Sequence, residues 1–321
     1  MFLDLNKITK IIIEPSSWCN LHCPQCPRFD EHGFLDKNLN KGHLDFSSIE
    51  QNLQLSHLPN VRHIKIEGDY GDPAMHPDLL RFVAYFGELE RVQIVTNGSI
   101  RSPNWFKELA RYKNVDVDFS IDGLQDTNHI YRINADWQKI MDNAKAFINA
   151  GGNAIWKMIV FKHNQHQVEQ ARQISQDLGF TDFKIIYSDR NFYNSIWPVY
   201  IDGTYQYDLE ISDDLKLATK AHIQANSVNN FESPTCKWVE QGKFYINYLG
   251  FLLPCCMTSG TTWKNTISDR LFRKILGNTD DISLVKHDVR TIALSDFYRY
   301  RLQDSFASIK TCHNICSKYC S

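Results

Sequence analysis

The sequence predicts an α/β fold: a parallel sheet of six βα units that curls into a partial (β/α)6 barrel, followed by a smaller cysteine-bearing domain. Three observations carry this. Short apolar runs at residues 11–14, 63–67, 92–96, 115–121, 155–161 and 183–187 alternate with amphipathic stretches. Strict β/α alternation needs crossover helices and therefore parallel strands. Beyond residue 187 the alternation stops, and aromatic and then cysteine-rich sequence takes over.

The helices are expected near residues 46–55, 77–86, 103–112, 137–150 and 165–178. Asp45 stands where an N-cap belongs, with Ser47 and Ser48 behind it. Gly151-Gly152 and Gly179 supply C-terminal stops. Lys157 and Lys162 lie beside apolar residues on the fifth strand; Lys157 could point into the barrel, but strand-end lysines usually reach out to solvent. Ser188-Asp189-Arg190, at the sixth strand end, could reach a polar substrate or begin the linker, and the linker is the favoured reading. Residues 191–207, which carry Phe192, Tyr193, Trp197, Pro198, Tyr200 and Gly203, read as irregular, and 213–224 as helical. Further on, 243–248 reads as a strand, Leu249-Gly250 as a turn and 251–253 as the return strand of a hairpin. The domain reading is 1–190 for the barrel core, 191–235 for an aromatic linker and helix, and 236–321 for the C-terminal domain. No internal repeat or low-complexity segment is visible.

Composition narrows the function classes. Hydrophobic residues make up 43% of 321, enough for an ordinary globular core. A formal net charge of −2 without a long basic run makes nucleic acid an unexpected partner. No apolar stretch has the length of a membrane span, and Met1-Phe2-Leu3-Asp4-Leu5-Asn6-Lys7 is no signal peptide. Nine cysteines in an untargeted chain point to metal binding in a reducing, cytoplasmic setting rather than to disulfides.

The chemistry centres on Trp18-Cys19-Asn20-Leu21-His22-Cys23-Pro24-Gln25-Cys26. Its C-x3-C-x2-C spacing lies on the loop that leaves the first strand. Barrel-like α/β folds place their chemistry at such strand ends. Three thiolates this close can hold three irons of a cubane [4Fe–4S] cluster and leave the fourth iron open. The structural alternative is zinc bound by Cys19, Cys23, Cys26 and either His22 or a distant cysteine.

This spacing after a first strand resembles the radical SAM superfamily. The resemblance implies that the open iron chelates the amino and carboxylate groups of S-adenosylmethionine. One electron then cleaves the sulfonium to methionine and a 5′-deoxyadenosyl radical, which abstracts hydrogen from substrate. The residue before the third cysteine, often aromatic in the superfamily, is Gln25 here. Further elements follow successive strands. Gly71-Asp72-Pro73, after Glu67-Gly68-Asp69-Tyr70, looks like the Gly-Glu-Pro element that receives the cofactor's amino group, with Asp for Glu. Thr96-Asn97-Gly98 is similar to another superfamily element whose polar groups face the cofactor. Ser120-Ile121-Asp122-Gly123, with His129 and Arg132 beyond it, resembles a Ser-Ile-Asp-Gly unit and downstream Arg. In relatives that Ser and Arg contact ribose and carboxylate, and a guanidinium fork suits a carboxylate. Gly71, Asp72, Asn97, Ser120, Asp122 and Arg132 are thereby implied to bind cofactor.

The Cys236-x13-Gly250-x4-Cys255 unit, with Cys312, Cys316 and Cys320 after it, resembles the SPASM or twitch extension of these enzymes. That implies one auxiliary [4Fe–4S] cluster held by Cys236, Cys255, Cys312 and either Cys316 or Cys320, with Cys256 a spare buried thiol. Four thiolates around a structural zinc are the alternative. Relatives of this type mostly oxidise, crosslink or epimerise peptides, and some act on small molecules such as sugars or nucleotides. The expected reading is therefore a radical SAM oxidoreductase or maturase with a peptide substrate, drawing electrons from a flavodoxin or ferredoxin. A small-molecule substrate and a non-catalytic zinc-binding module are the alternatives. The chain shows no obvious leader-peptide-binding domain ahead of the barrel, so peptide maturation would need a partner for recognition.

Overall fold

Each expected βα unit forms, for local reasons that the sequence already carries. The structure, a computed structural model, describes residues 3–188, 195–217, 237–260 and 273–302. The apolar runs become β1 (Lys10–Ile13), β2 (His63–Ile66), β3 (Arg91–Thr96), β4 (Val115–Ser120), β5 (Asn153–Ile159) and β6 (Asp182–Ile186). Between them stand α1 (Phe46–Asn52), α2 (Leu79–Tyr85) and α3 (Pro103–Leu109). A one-turn helix α4 (Asn128–Tyr131), α5 (Trp137–Asn149) and α6 (Val168–Asp177) complete the set. Asp45 caps α1 as its sequence suggests, accepting from the backbone N–H groups of Ser47 and Ser48 at 3.2 Å each. Residues 213–217 are helical; the rest of the helix expected over 213–224 lies outside the described residues.

One eight-stranded sheet runs in the order β10-β9-β1-β2-β3-β4-β5-β6, with β9 (Lys243–Ile246) and β10 (Leu252–Leu253) forming the expected late hairpin. The pairs β1–β2, β4–β5 and β5–β6 are parallel. This is the mostly parallel α/β sheet of a partial (β/α)6, TIM-like barrel. The hairpin does not stand apart from that sheet. β9 pairs parallel with β1, Lys10 opposite Lys243 and Ile13 opposite Ile246, and only β10 runs antiparallel.

The described chain divides into two compact units, within the bounds Met1–Trp18, Asn38–Gln93 and Phe231–Ser321 for one, Cys19–Lys37 and Ile94–Asn230 for the other. The first packs Ile11, Ile13, Phe46, Ile64, Ile66, Phe82 and Phe244, all buried, with the rings of Phe46 and Phe82 edge to face at 5.0 Å. The second is built on an aromatic set, Phe106, Phe119, Phe147 and Trp156, each fully buried. Burying each such side chain contributes roughly 1.5–3 kcal/mol.

Residues 191–207 depart from the irregular segment expected of them. The described part is an antiparallel hairpin, β7 (Ile196–Ile201) and β8 (Thr204–Glu210). Asp202 and Gly203 form its turn, both with positive φ, 46° and 79°. That is the backbone of a type I′ turn, whose twist matches the flanking strands. Pro198 is tolerated because a two-stranded ribbon leaves a free edge for the missing N–H. Phe192 and Tyr193 lie outside the described residues. No helix among the described residues is long and apolar enough to cross a membrane.

Candidate functional site

Backbone turns shape the cysteine loop after β1. Cys26 N donates to Cys23 O at 3.0 Å and Phe29 N to Cys26 O at 3.1 Å, while His22 N reaches Ile133 O at 3.1 Å beyond α4. Every one of the three sulfurs is faced by an N–H. Cys19 Sγ receives Leu21 N at 3.4 Å and Asn97 Nδ2 at 3.7 Å. Cys26 Sγ receives Arg28 Nε at 3.3 Å. Cys23 Sγ faces Arg132 Nη1 at 3.9 Å. Burial pushes the Cys23 thiol up from its ordinary pKa, and the Arg132 charge pulls against it. Donors aimed at sulfur favour thiolate over thiol and are among the levers that tune an iron–sulfur cluster. Among the described residues, no group of three or more His, Cys, Asp or Glu side chains is placed to hold a single metal ion. Thiolates on a cubane bind separate irons and need not meet at one point.

Apolar packing supports Cys23 from below. It lies against the cluster of Tyr131, Phe161, Val199 and Leu209, with Trp197 and Tyr207 beside it. The β7–β8 hairpin thus supplies part of the floor under the loop. Tyr207 Oη donates to Ile130 O, and burial together with Cys23 pushes its hydroxyl pKa up to about 12.

The polar elements after β3 and β4 converge on the same loop. Asn97 is buried and donates to Asn20 Oδ1 at 3.0 Å as well as to Cys19, while its own Oδ1 accepts from Ser99 N and Oγ, both at 2.8 Å. Asn20 Nδ2 closes the ring on Ser99 Oγ at 2.9 Å. Ser120 ends β4, buried, opposite Lys157 in register on β5. Asp122, with no exposed surface, binds Arg132 Nε through Oδ2 and Ile159 N through Oδ1, both at 2.6 Å. Burial pushes its carboxyl up from the ordinary range, and Arg132, the Ile159 N–H and Lys157 pull against that. Burial also opposes the charged Arg132, but Asp122 and Cys23 outweigh it and hold the guanidinium above its ordinary value. So Asp122 and Arg132 form a buried ion pair that fixes the turn after β4 and aims the guanidinium at Cys23. Lys157 is half-buried, and its charge is among those that pull the Asp122 carboxyl back down.

In the first unit, Asp72 is buried and caps a 3-10 turn, Pro73–Met75, by accepting Ala74 N at 2.9 Å. Its own N–H donates to Trp18 O at 2.8 Å, one residue before Cys19. Gly71 is required there, because a Cβ would strike the carbonyl of Ser16. No motif marks Glu14, yet it ends the first apolar run fully buried, accepting from Tyr70 N at 2.6 Å and Tyr245 Oη at 3.0 Å. Burial and the nearby Asp69 push its carboxyl well above the ordinary range.

Of the auxiliary cysteines, Cys255 follows β10 and is buried, accepting at its carbonyl from Thr258 Oγ1 at 2.7 Å. Cys256 is half-buried, its thiol pushed well up by burial and by Asp69. Cys236, Cys312, Cys316 and Cys320 lie outside the described residues. Sequence reasoning also passed over Arg28, Asn20, Ser99 and the bond from Ser188 Oγ to Gln25 Oε1 at 2.9 Å. Ser188 is therefore not merely the start of a linker. It ties the end of β6 to the cysteine loop.

The described chain is thus a mostly parallel α/β sheet with three thiols on the loop leaving its first strand. The radical SAM superfamily model matches residues 13–173, half of the chain, and the chain belongs to that superfamily. No curated protein matches it. Among solved structures, it is similar to SuiB of Streptococcus suis bound to S-adenosylmethionine, with TM-score 0.55 and 17% identity over 82% of this chain. It spans only 64% of that SuiB chain. It is also similar to anSMEcpe with bound AdoMet, with TM-score 0.58 and 16% identity over 96% of this chain and 83% of the neighbour. A third similar structure is anSMEcpe with AdoMet and the Cp18Cys peptide, with TM-score 0.57 and 16% identity over 95% and 85% of the two chains. At such identities the likeness is one of fold.

Proposed function

We propose that Cys19, Cys23 and Cys26 hold three irons of a [4Fe–4S] cluster whose fourth iron takes S-adenosylmethionine. The observation that supports this best is the N–H donor facing each of the three sulfurs. Held by these three cysteines, the cluster would supply the one-electron reduction of S-adenosylmethionine that starts hydrogen-atom abstraction from substrate. The chain's own residues position and shield. Asn97 and Asn20 hold Cys19, and Arg132 faces Cys23 while Asp122 keeps it in place. Gly71, Asp72 and Ser120 complete the cofactor-binding set that the superfamily pattern implies. Cys236, Cys255, Cys312 and one of Cys316 and Cys320 hold an auxiliary [4Fe–4S] cluster in this reading. In this reading the barrel core spans 1–190, the linker 191–235 and the C-terminal domain 236–321, whose hairpin joins the core sheet beside β1.

The substrate we favour is a peptide, since SuiB has been solved with precursor peptide SuiA and anSMEcpe with peptides. A flavodoxin or ferredoxin would supply the electron, and the reaction would take place in the cytoplasm. Anaerobic reconstitution with iron and sulfide, then reduction with S-adenosylmethionine present, tests the core. Wild type should release 5′-deoxyadenosine, and the Cys19→Ala/Cys23→Ala/Cys26→Ala variant should not. Retained cleavage in that variant overturns the assignment. Peptides that raise 5′-deoxyadenosine release, where sugars and nucleotides do not, support the peptide reading; the reverse overturns it.

A further inference from the structure

Arg28 lies two residues beyond the last loop cysteine and is 5% exposed. Its Nε donates to Cys26 Sγ at 3.3 Å, its Nη1 to Cys19 O at 3.3 Å, and its Nη2 to Leu21 O. The guanidinium carbon stands 4.9 Å over the Phe29 ring, which in turn stacks on His22 at 3.8 Å. Among the described residues no Asp or Glu forms an ion pair with it, and its contacts are the Cys26 sulfur and the carbonyls of Cys19 and Leu21. Arg132, the other guanidinium beside these sulfurs, has its charge met by Asp122 at 2.6 Å. A buried cation left without a carboxylate is costly unless another anion stands in. Here the Cys26 sulfur stands in the carboxylate's place, 3.3 Å from Nε, and it is an anion once it ligates iron.

We propose that Arg28 is a positioning residue that raises the reduction potential of the cluster bound by Cys19, Cys23 and Cys26, by setting a buried positive charge against the Cys26 sulfur. The inference rests on the reading of this loop as the cluster site. A cubane with three thiolates gains one negative charge on reduction, and a fixed nearby cation favours that more negative form. Water is largely excluded around Arg28, so the attraction is screened little. The planar fork explains the choice of arginine. It meets one sulfur and two loop carbonyls at once, which an ammonium could not do in one geometry. The same three bonds stiffen the loop, so charge and bracing must be separated by experiment.

The test uses full-length wild type, Arg28→Gln and Arg28→Lys, each reconstituted anaerobically, with iron counted and redox titration followed by electron paramagnetic resonance. The signal read is the one that shifts when S-adenosylmethionine is added, which separates it from any auxiliary cluster. Arg28→Gln should lower the reduced-to-oxidised ratio at a fixed poise at least tenfold, about 59 mV for one electron. Arg28→Lys, which keeps the charge, should stay much closer to wild type. A Gln variant that loses the cluster while the Lys variant keeps it also supports the proposal. An unchanged potential in Arg28→Gln overturns it. So does an equal fall in both variants, or loss of the cluster from both, because bracing alone would then explain the residue. If wild type itself takes up no cluster that responds to S-adenosylmethionine, both this inference and the proposed function fall.

Discussion

Asp122 shows at the scale of one residue how a short motif becomes a site. Its carboxylate binds a guanidinium and a strand-end N–H, its backbone N–H donates to Asn128 Oδ1 at 2.8 Å, and its carbonyl accepts from Asn164 Nδ2 at 3.0 Å. The superfamily pattern suggests Arg132 as a cofactor contact. The structure adds that its Nε is committed to a carboxylate with no exposed surface. Arg132→Ala should therefore unfold more easily, by about 3–5 kcal/mol, because it leaves Asp122 buried without its partner. Urea denaturation of the cluster-free protein measures this. A variant that loses S-adenosylmethionine affinity at unchanged stability would assign Arg132 to the cofactor alone. The sequence singles out Asn97, Ser120 and Asp122 because each stands at a strand end or just past one. Arg28, Asn20 and Ser99 were not, because nothing in spacing marks which side chains fold back on a loop.

At the scale of elements, the β7–β8 hairpin is where sequence and structure part. Aromatic density and Pro198 suggested irregular chain, yet Asp202-Gly203 carried the stronger signal, since that dipeptide suits a two-residue I′ turn. Its consequence is local to the site, because Val199 and Leu209 pack in the cluster that supports Cys23. Gly203 holds φ at 79°, and a Cβ there would come 3.0 Å from the Phe34 ring. Gly203→Ala should cost about 1–2 kcal/mol of stability, the usual penalty of the left-handed region for a residue with a Cβ. The measurable result is a lower thermal midpoint with the cluster still bound. A midpoint equal to wild type would mean that the turn relaxes without loss.

At the scale of the molecule, the proposed auxiliary ligand set would add a second cluster to the proposed first. Reconstituted wild type should carry about eight irons and Cys236→Ala/Cys255→Ala about four, counting one cubane per set. The double variant should still cleave S-adenosylmethionine but fail to turn over its substrate. Eight irons retained after removing both thiols would place the second set elsewhere. The position of Cys255 gives this measurement further interest. It lies just past a hairpin that pairs with β1, so its surroundings belong to the same sheet as the strand leading into the first cysteine loop.

The sequence by itself determined the six βα units, their order, and the placement of Cys19, Cys23 and Cys26 on the loop after the first strand. Those features follow from periodicity, caps and turn residues, which act over a few positions of chain. The tertiary structure alone decided that Lys243–Ile246 pairs with Lys10–Ile13, over 230 residues away, and that Glu14 buries its carboxyl against Tyr70 and Tyr245. It alone decided that Arg28 lacks an acidic partner among the described residues and turns to a cysteine sulfur instead. Strand neighbours and the partners of buried charges are set by long-range packing, where many pairings satisfy the same local pattern and only the folded chain selects one.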